Sequence, residues 1–232
     1  MQIGPAEQEA LFDAIPDVVF FMKDAEGRYT SVNETLVLRC GRQHKRELIG
    51  LTPLDVFPAP LGQSYVAQDR RVVRSGEPIV EHLELHLFAH RDPGWCMTRK
   101  LPVRERGKVV GLVGISRDLG RPDTADPVYP RLGRVVDYLH AHLAEDLSVT
   151  ELAAFAELSV SQLERQFQRL FQLGPRRYLI KLRLERATAL LEGSDSIATI
   201  AHACGYADQS AFTRQFRAIV GVTPSDFRRL RT

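Results

Sequence analysis

Two pentapeptides recur in the second half of the chain, Leu163-Glu164-Arg165-Gln166-Phe167 and Phe212-Thr213-Arg214-Gln215-Phe216, 49 residues apart. At about 100° per residue, Leu163, Phe167 and Leu170 share one helical face. Ser161, Arg165, Gln168 and Arg169 share the other. In the second copy Phe212, Phe216 and Ile219 form the apolar face, while Ser210, Arg214 and Arg217 point outward. A helix apolar inside and rich in Arg, Gln and Ser outside carries the groups that read base edges in a major groove. Arg pairs with guanine and Gln with adenine. One such helix alone is most simply an amphipathic surface helix; two in equivalent register are much harder to explain that way. No Ser-His-Asp set, phosphate-binding loop or carboxylate pair in a plausible site accompanies them, so no catalytic residue is expected and the chain is not expected to be an enzyme.

The elements that would hold these faces are legible nearby. Upstream, Leu152-Ala153 matches Ile200-Ala201 at an offset of 48, so one extra residue must lie in the turn of the second copy. Each copy reads as helix, short turn, helix. Ser148 with Glu151, and Ser159 with Gln162, have the spacing of capping boxes, and Asp208 can cap the last helix. The turns carry Glu157-Leu158 in one copy and Gly205-Tyr206 in the other. Between the copies a helix is expected over 175–192, with Pro at its first position and Gly193 past its end. It would span about 25 Å, a spacer able to hold two recognition helices near the roughly 34 Å repeat of successive major grooves. Residues 131–232 hold 14 Lys/Arg against 11 Asp/Glu, residues 1–130 hold 17 against 18. The excess concentrates in Arg165, Arg169, Arg176, Arg177, Lys181, Arg183 and Arg186, opposed only by Glu185.

Residues 131–232 resemble the DNA-binding domain of the AraC/XylS family. The resemblance rests on 147–153 (LSVTELA), 158–167 (LSVSQLERQF), 183–187 (RLERA), 200–212 (IAHACGYADQSAF) and 221–228 (GVTPSDFR). It implies an all-α domain with two helix-turn-helix units, promoter recognition, and activation through RNA polymerase. By position it assigns base contacts to Ser161, Gln162, Arg165, Gln209, Ser210 and Arg214, beside Gln168, Arg169 and Arg217 on the same outward faces. Where the family tends to place Gly after the first recognition helix, this chain has Gln172.

Residues 120–130, with three prolines and no apolar periodicity, read as a linker. Ahead of it, 18–22 and 28–32 form a hairpin, Asn33 caps a short helix, and a longer helix runs over 61–75 to Gly76. Strands follow over 79–88, 95–103 and 109–117, the last apolar on both faces and so central. Over about residues 8–119 this order resembles a PAS domain, a five-stranded antiparallel sheet with short helices. The carrying segments are 11–17 (LFDAIPD), 47–50 (ELIG) and 111–119 (GLVGISRDL). The resemblance implies a module that encloses a small-molecule effector or, as the alternative, a ligand-free interaction module; both families suggest a homodimer. The domains are therefore placed at 1–119, 120–130 and 131–232.

Trp95, Met97 and Arg99 share one strand face and could wall a pocket, Arg99 binding an anionic ligand. Cofactors are not expected. Cys40 lies in Arg39-Cys40-Gly41-Arg42, outside the context of a flavin-binding cysteine, and 61–75 contains no haem-ligating His. His82 and His86 stand about 13 Å apart at strand rise, too far for one metal, and read as surface residues; no metal site is expected. DNA-repair methyltransferases also carry this type of reader, but neither Cys40 nor Cys96 has the context of their nucleophile, and Cys204 reads as a packing residue. Composition is ordinary for a globular chain, 44% hydrophobic and 26% charged. The three scattered cysteines make no disulfide framework. Neither a secretory start nor a membrane span is evident, so a cytoplasmic protein without membrane contact is expected.

Overall fold

The computed structural model of the chain describes residues 4–86, 94–119 and 126–231. It has two compact units, the first running to Asp118 and including residues 218–222, the second holding the remainder. Among the described residues no helix is long and apolar enough to cross a membrane.

The first unit opens with Pro5–Asp13 (α1), then the hairpin Val18–Asp24 (β1) and Tyr29–Val32 (β2). The Asp24 carboxylate closes the hairpin by accepting from the Glu26 and Arg28 N–H groups at 3.1 and 2.8 Å. Asn33 caps Glu34–Arg39 (α2) through Leu36 N–H at 3.2 Å. Its amide also donates to Val18 O at 2.8 Å, which ties the helix to the sheet. A 3-10 turn at Lys45–Glu47 and the short helix Pro53–Val56 (α3) lead to Ala59–Ser75 (α4). Helix α4 starts two residues before the expected 61, because Pro60 is tolerated in a first turn. Then come Ile79–His86 (β3), Gly94–Glu105 (β4) and Lys108–Asp118 (β5); residues 87 and 88 of the expected third strand lie outside the described residues.

The five strands pair antiparallel in the order β2-β1-β5-β4-β3. Strand β5 is central, as its two apolar faces require, and β3 is an edge. A bulge in β3 between Ile79 and His82, with Glu81 at φ 50°, re-aims the rest of that strand. Opposite Phe21 stands Gly114, where a Cβ would come within 2.5 Å of the Phe21 ring. A glycine there lets the ring lie across β5.

The second unit is helical: Tyr129–Ala141 (α5), Val149–Phe155 (α6), Val160–Phe171 (α7), Pro175–Leu190 (α8), Ile197–Ala203 (α9), Gln209–Val220 (α10) and Pro224–Arg231 (α11). Helix α5 begins inside the expected linker, with Pro130 in its first turn. Leu132, Val135 and Leu139 of α5 pack with Leu152, Leu163, Phe167, Leu179 and Leu182 in one buried core. A second core follows a chain of ring contacts, Tyr206–Phe212–Phe216–Phe227, with centroids 5.1–5.6 Å apart.

Candidate functional site

The two helix pairs α6–α7 and α9–α10 turn in the same way. Leu158 N–H donates to Ala153 O at 2.9 Å, and Tyr206 N–H to Ala201 O at 3.0 Å. The preceding residues, Glu157 and Gly205, take φ 54° and 75°. A Cβ on Gly205 would lie 2.5 Å from Leu143 O and 2.9 Å from Ala144 Cα, so the second turn requires glycine. Glu157 holds the left-handed conformation with its side chain exposed, at a cost of about 1 kcal/mol. The offset between the copies is still 48 at Tyr206 and becomes 49 at the caps, so Ala207 is the extra residue. Ser159 and Gln162 form the expected capping box, and Ala211 N–H donates to Asp208 Oδ1 at 2.7 Å.

Two arginines brace the frame. Arg183 of α8 donates to Leu143 O and Glu145 O at 2.9 and 2.7 Å. Arg228 of α11 donates to Leu191 O and Asp195 O at 3.1 and 2.6 Å. Each fork holds the backbone just ahead of one helix-turn-helix unit. Counting charge along the sequence missed this role, since Arg183 lies in the basic stretch. Lys181, also in that stretch, pairs with Glu185 at 2.5 Å. The stretch is therefore not one continuous basic face.

The outward faces hold all nine expected residues. Ser161, Gln162, Arg165, Gln168 and Arg169 on α7 are exposed, as are Gln209, Ser210, Arg214 and Arg217 on α10. Leu163, Phe167 and Leu170 are buried behind the first face, Phe212 and Phe216 behind the second; Ile219 is only half-buried. Three of the nine already have partners. Gln162 gives its carbonyl to the cap, Gln168 donates to Gln172 O at 3.1 Å, and Arg169 pairs with Asp126 at 3.1 Å.

A cavity in the first unit lies between the sheet and α2 and α4. It is partly open to solvent and is lined by Val19, Phe21, Tyr29, Leu36, Phe57 and Tyr65 on the apolar side. Lys23, Glu84, His86, Lys100 and Ser116 supply the polar side. Beneath it Asp69 bridges Lys23 at 2.5 Å and Lys100 at 2.7 Å, all three buried. Burial pushes Lys23 down to about 8, against the pull of Asp69. Burial would raise Asp69, but Lys100 and Lys23 hold it below its ordinary value. Glu84 accepts from Thr98 Oγ1 at 2.5 Å and Gln68 Nε2 at 2.6 Å, and contacts His86 at 3.2 Å. Burial opposes its charge, yet His86, Lys100 and His82 hold its carboxyl well below the usual range. Burial likewise opposes charge on His86, but Cys96 and Glu84 lift it to about 10.

Residues 152–230 match the family model described as a helix-turn-helix domain, and residues 12–123 match the one described as a PAS fold. The regulator GbdR of Pseudomonas aeruginosa is 39% identical over 100 residues, 43% of this chain and 27% of its own length. The transcriptional activator RhaS of Klebsiella pneumoniae is 37% identical over 169 residues, 72% of this chain and 56% of its own. The second unit carries an AraC-type helix-turn-helix domain. A solved AraC-type DNA-binding domain from Chromobacterium violaceum is 34% identical, with a TM-score of 0.42, over 44% of this chain and 93% of its own. The chain spans between 27% and 60% of the lengths of the curated relatives named or matched beside these.

The PAS fold of the first unit has its pocket on the opposite sheet face from the one expected. Trp95, Met97 and Arg99 do share a face of β4, but the cavity takes Lys100 from the other. Side chains alternate along a strand, so the inner set is Cys96, Thr98 and Lys100. Trp95 is buried on the outer face, Met97 is half-buried and Arg99 is exposed. The surface reading of His82 and His86 is corrected as well. Both approach the buried Glu84 carboxylate, and His86 keeps only 12% of its side chain exposed. The missed signal was the cross-strand neighbourhood, with Glu84 the register partner of Cys96.

Proposed function

We propose that the chain is a sequence-specific regulator of transcription that grips double-stranded promoter DNA with α7 and α10. The observation that carries this is the pair of exposed Arg/Gln/Ser faces in equivalent register, each backed by a buried aromatic core. The PAS sensor, about residues 1–119, is joined by a short linker to a reader that begins with α5 at Tyr129. Ser161, Arg165, Gln209, Ser210, Arg214 and Arg217 meet bases or phosphates directly. Gln162, Gln168 and Arg169 join them after exchanging their present partners. The protein acts in the cytoplasm as an activator that contacts RNA polymerase, and as a homodimer.

The PAS cavity, with aromatic walls and a charged floor, supports a small-molecule effector over a ligand-free interaction module. An effector shifts DNA binding only through different affinity for two states of the protein. The test is selection of duplexes from a random pool by the full-length protein. A bipartite motif with two half-sites supports the reading; recovery of sequences without preference overturns it.

A further inference from the structure

The polar face of β3 meets β4 at a group of three different donors. Glu84 and His86 stand two apart on β3 and so share a face; Cys96 is Glu84's partner on β4. One carboxylate oxygen, one ring nitrogen and the thiol sulfur lie within 4.8 Å of one another. Cys96 is fully buried and the Glu84 side chain is 4% exposed. Among the described residues no other group of His, Cys and carboxylates gathers in this way.

Thiolate, imidazole and carboxylate together are the donors of a borderline divalent transition metal. Zinc bonds of about 2.3 Å to sulfur and 2.0–2.2 Å to nitrogen and oxygen put tetrahedral ligand atoms roughly 3.3–3.7 Å apart, so this group is within about 1 Å of closure. Glu84 Oε2 and His86 Nε2 are already 3.2 Å apart. Outer partners fix the ligands as metal sites require: Thr98 and Gln68 hold the carboxylate, and the Tyr65 ring packs edge-on to His86 with centroids 5.8 Å apart. Glu84 and His86 both line the cavity, so a fourth coordination position would open onto it.

We propose that Glu84, His86 and Cys96 bind one divalent transition-metal ion of the zinc class, with its open position facing the PAS cavity. Binding releases the Cys96 thiol proton to solvent, and the thiolate and the Glu84 carboxylate then balance the two charges of the ion, with His86 donating as a neutral imidazole. The ion supplies a Lewis-acidic contact for a cavity ligand bearing a carbonyl, carboxylate or hydroxyl oxygen.

The experiment is titration of chelator-treated full-length protein with Co²⁺, then competition with Zn²⁺. One ion per chain is expected, with thiolate-to-cobalt charge-transfer absorption that Zn²⁺ abolishes. Cys96→Ser should lose the charge-transfer band, and His86→Ala should bind at least tenfold more weakly. Thr98→Val, which removes only an outer partner, should weaken binding about 10- to 100-fold. Cys40→Ser and Cys204→Ser should bind as the parent does. Circular dichroism melts identify any variant that fails to fold, in which case the parent's charge-transfer band and its abolition by Zn²⁺, read beside the Cys40→Ser and Cys204→Ser variants, decide. No charge-transfer band in the parent, or a band carried by Cys40 or Cys204, overturns the proposal.

Discussion

Arg165 and Arg214 occupy equivalent places in the two copies, and both side chains are exposed. Arg165→Ala and Arg214→Ala should each cost about 1–3 kcal/mol of operator binding and relax preference at one position of the site. Fluorescence anisotropy on a panel of single-base operator variants separates the possibilities; equal loss on every sequence would mark phosphate contacts. Backbone conformation gives a second contrast at single residues. Gly205→Ala places a methyl against the Leu143 carbonyl at a positive φ, and should cost about 1–3 kcal/mol. Gln172 also sits at positive φ, 58°, and its Oε1 is buried with no hydrogen-bond partner among the described residues. Gln172→Gly should therefore stabilise by about 0.5–1 kcal/mol. In thermal melts of the full-length protein the two variants should shift the reader's transition in opposite directions, by about 4–8 °C per kcal/mol.

Strands show what alternation can and cannot tell. The sequence places Trp95, Met97 and Arg99 on one face and His82, Glu84 and His86 on another, and both groupings hold. Alternation does not say which face meets the helices. The usual guide, apolar inward, points the wrong way here, because the inner face carries Lys23, Lys100 and Glu84, all buried, with Asp69 of α4 against the two lysines. These charges are compensated by partners distant in sequence, such as Asp69 for Lys23 and Lys100, which no local pattern announces. Helices were more legible, since a 3.6-residue period with capping boxes fixes both the buried face and the start. Asp69→Ala leaves two buried ammonium groups without their counter-ion and should cost the PAS unit about 3–5 kcal/mol. The folded pKa of Asp69 is depressed below 3.8. Its stabilisation is thus complete above that unfolded value and is lost as pH falls through the folded one. Urea denaturation followed from about pH 6 down through the carboxylate range should show a steeper acid loss in the parent than in Asp69→Asn.

Helix α7 and residues 209–217 of α10 belong to one compact unit, and their separation is set by a single element. Helix α8 has 16 residues, about 24 Å of rigid rise. Arg183 from within it grips the backbone ahead of α6, and Arg228 grips the backbone just past its end. Neither helix-turn-helix unit can then move far relative to the other without breaking hydrogen bonds to main-chain carbonyls. The spacing of half-sites on DNA tests this directly. Inserting about 5 base pairs, half a helical turn, puts the second half-site on the far side of the duplex. Binding should fall by at least the 1–3 kcal/mol of one good bidentate base contact. Inserting about 10 base pairs restores the facing but lengthens the span by about 34 Å, and a rigid spacer cannot follow. Anisotropy at constant salt, needed because phosphate contacts are salt-sensitive, should therefore show equal weakening for both insertions. Recovery at the full turn would mean that the two units are flexibly tethered and that the arginine braces do not hold them on DNA.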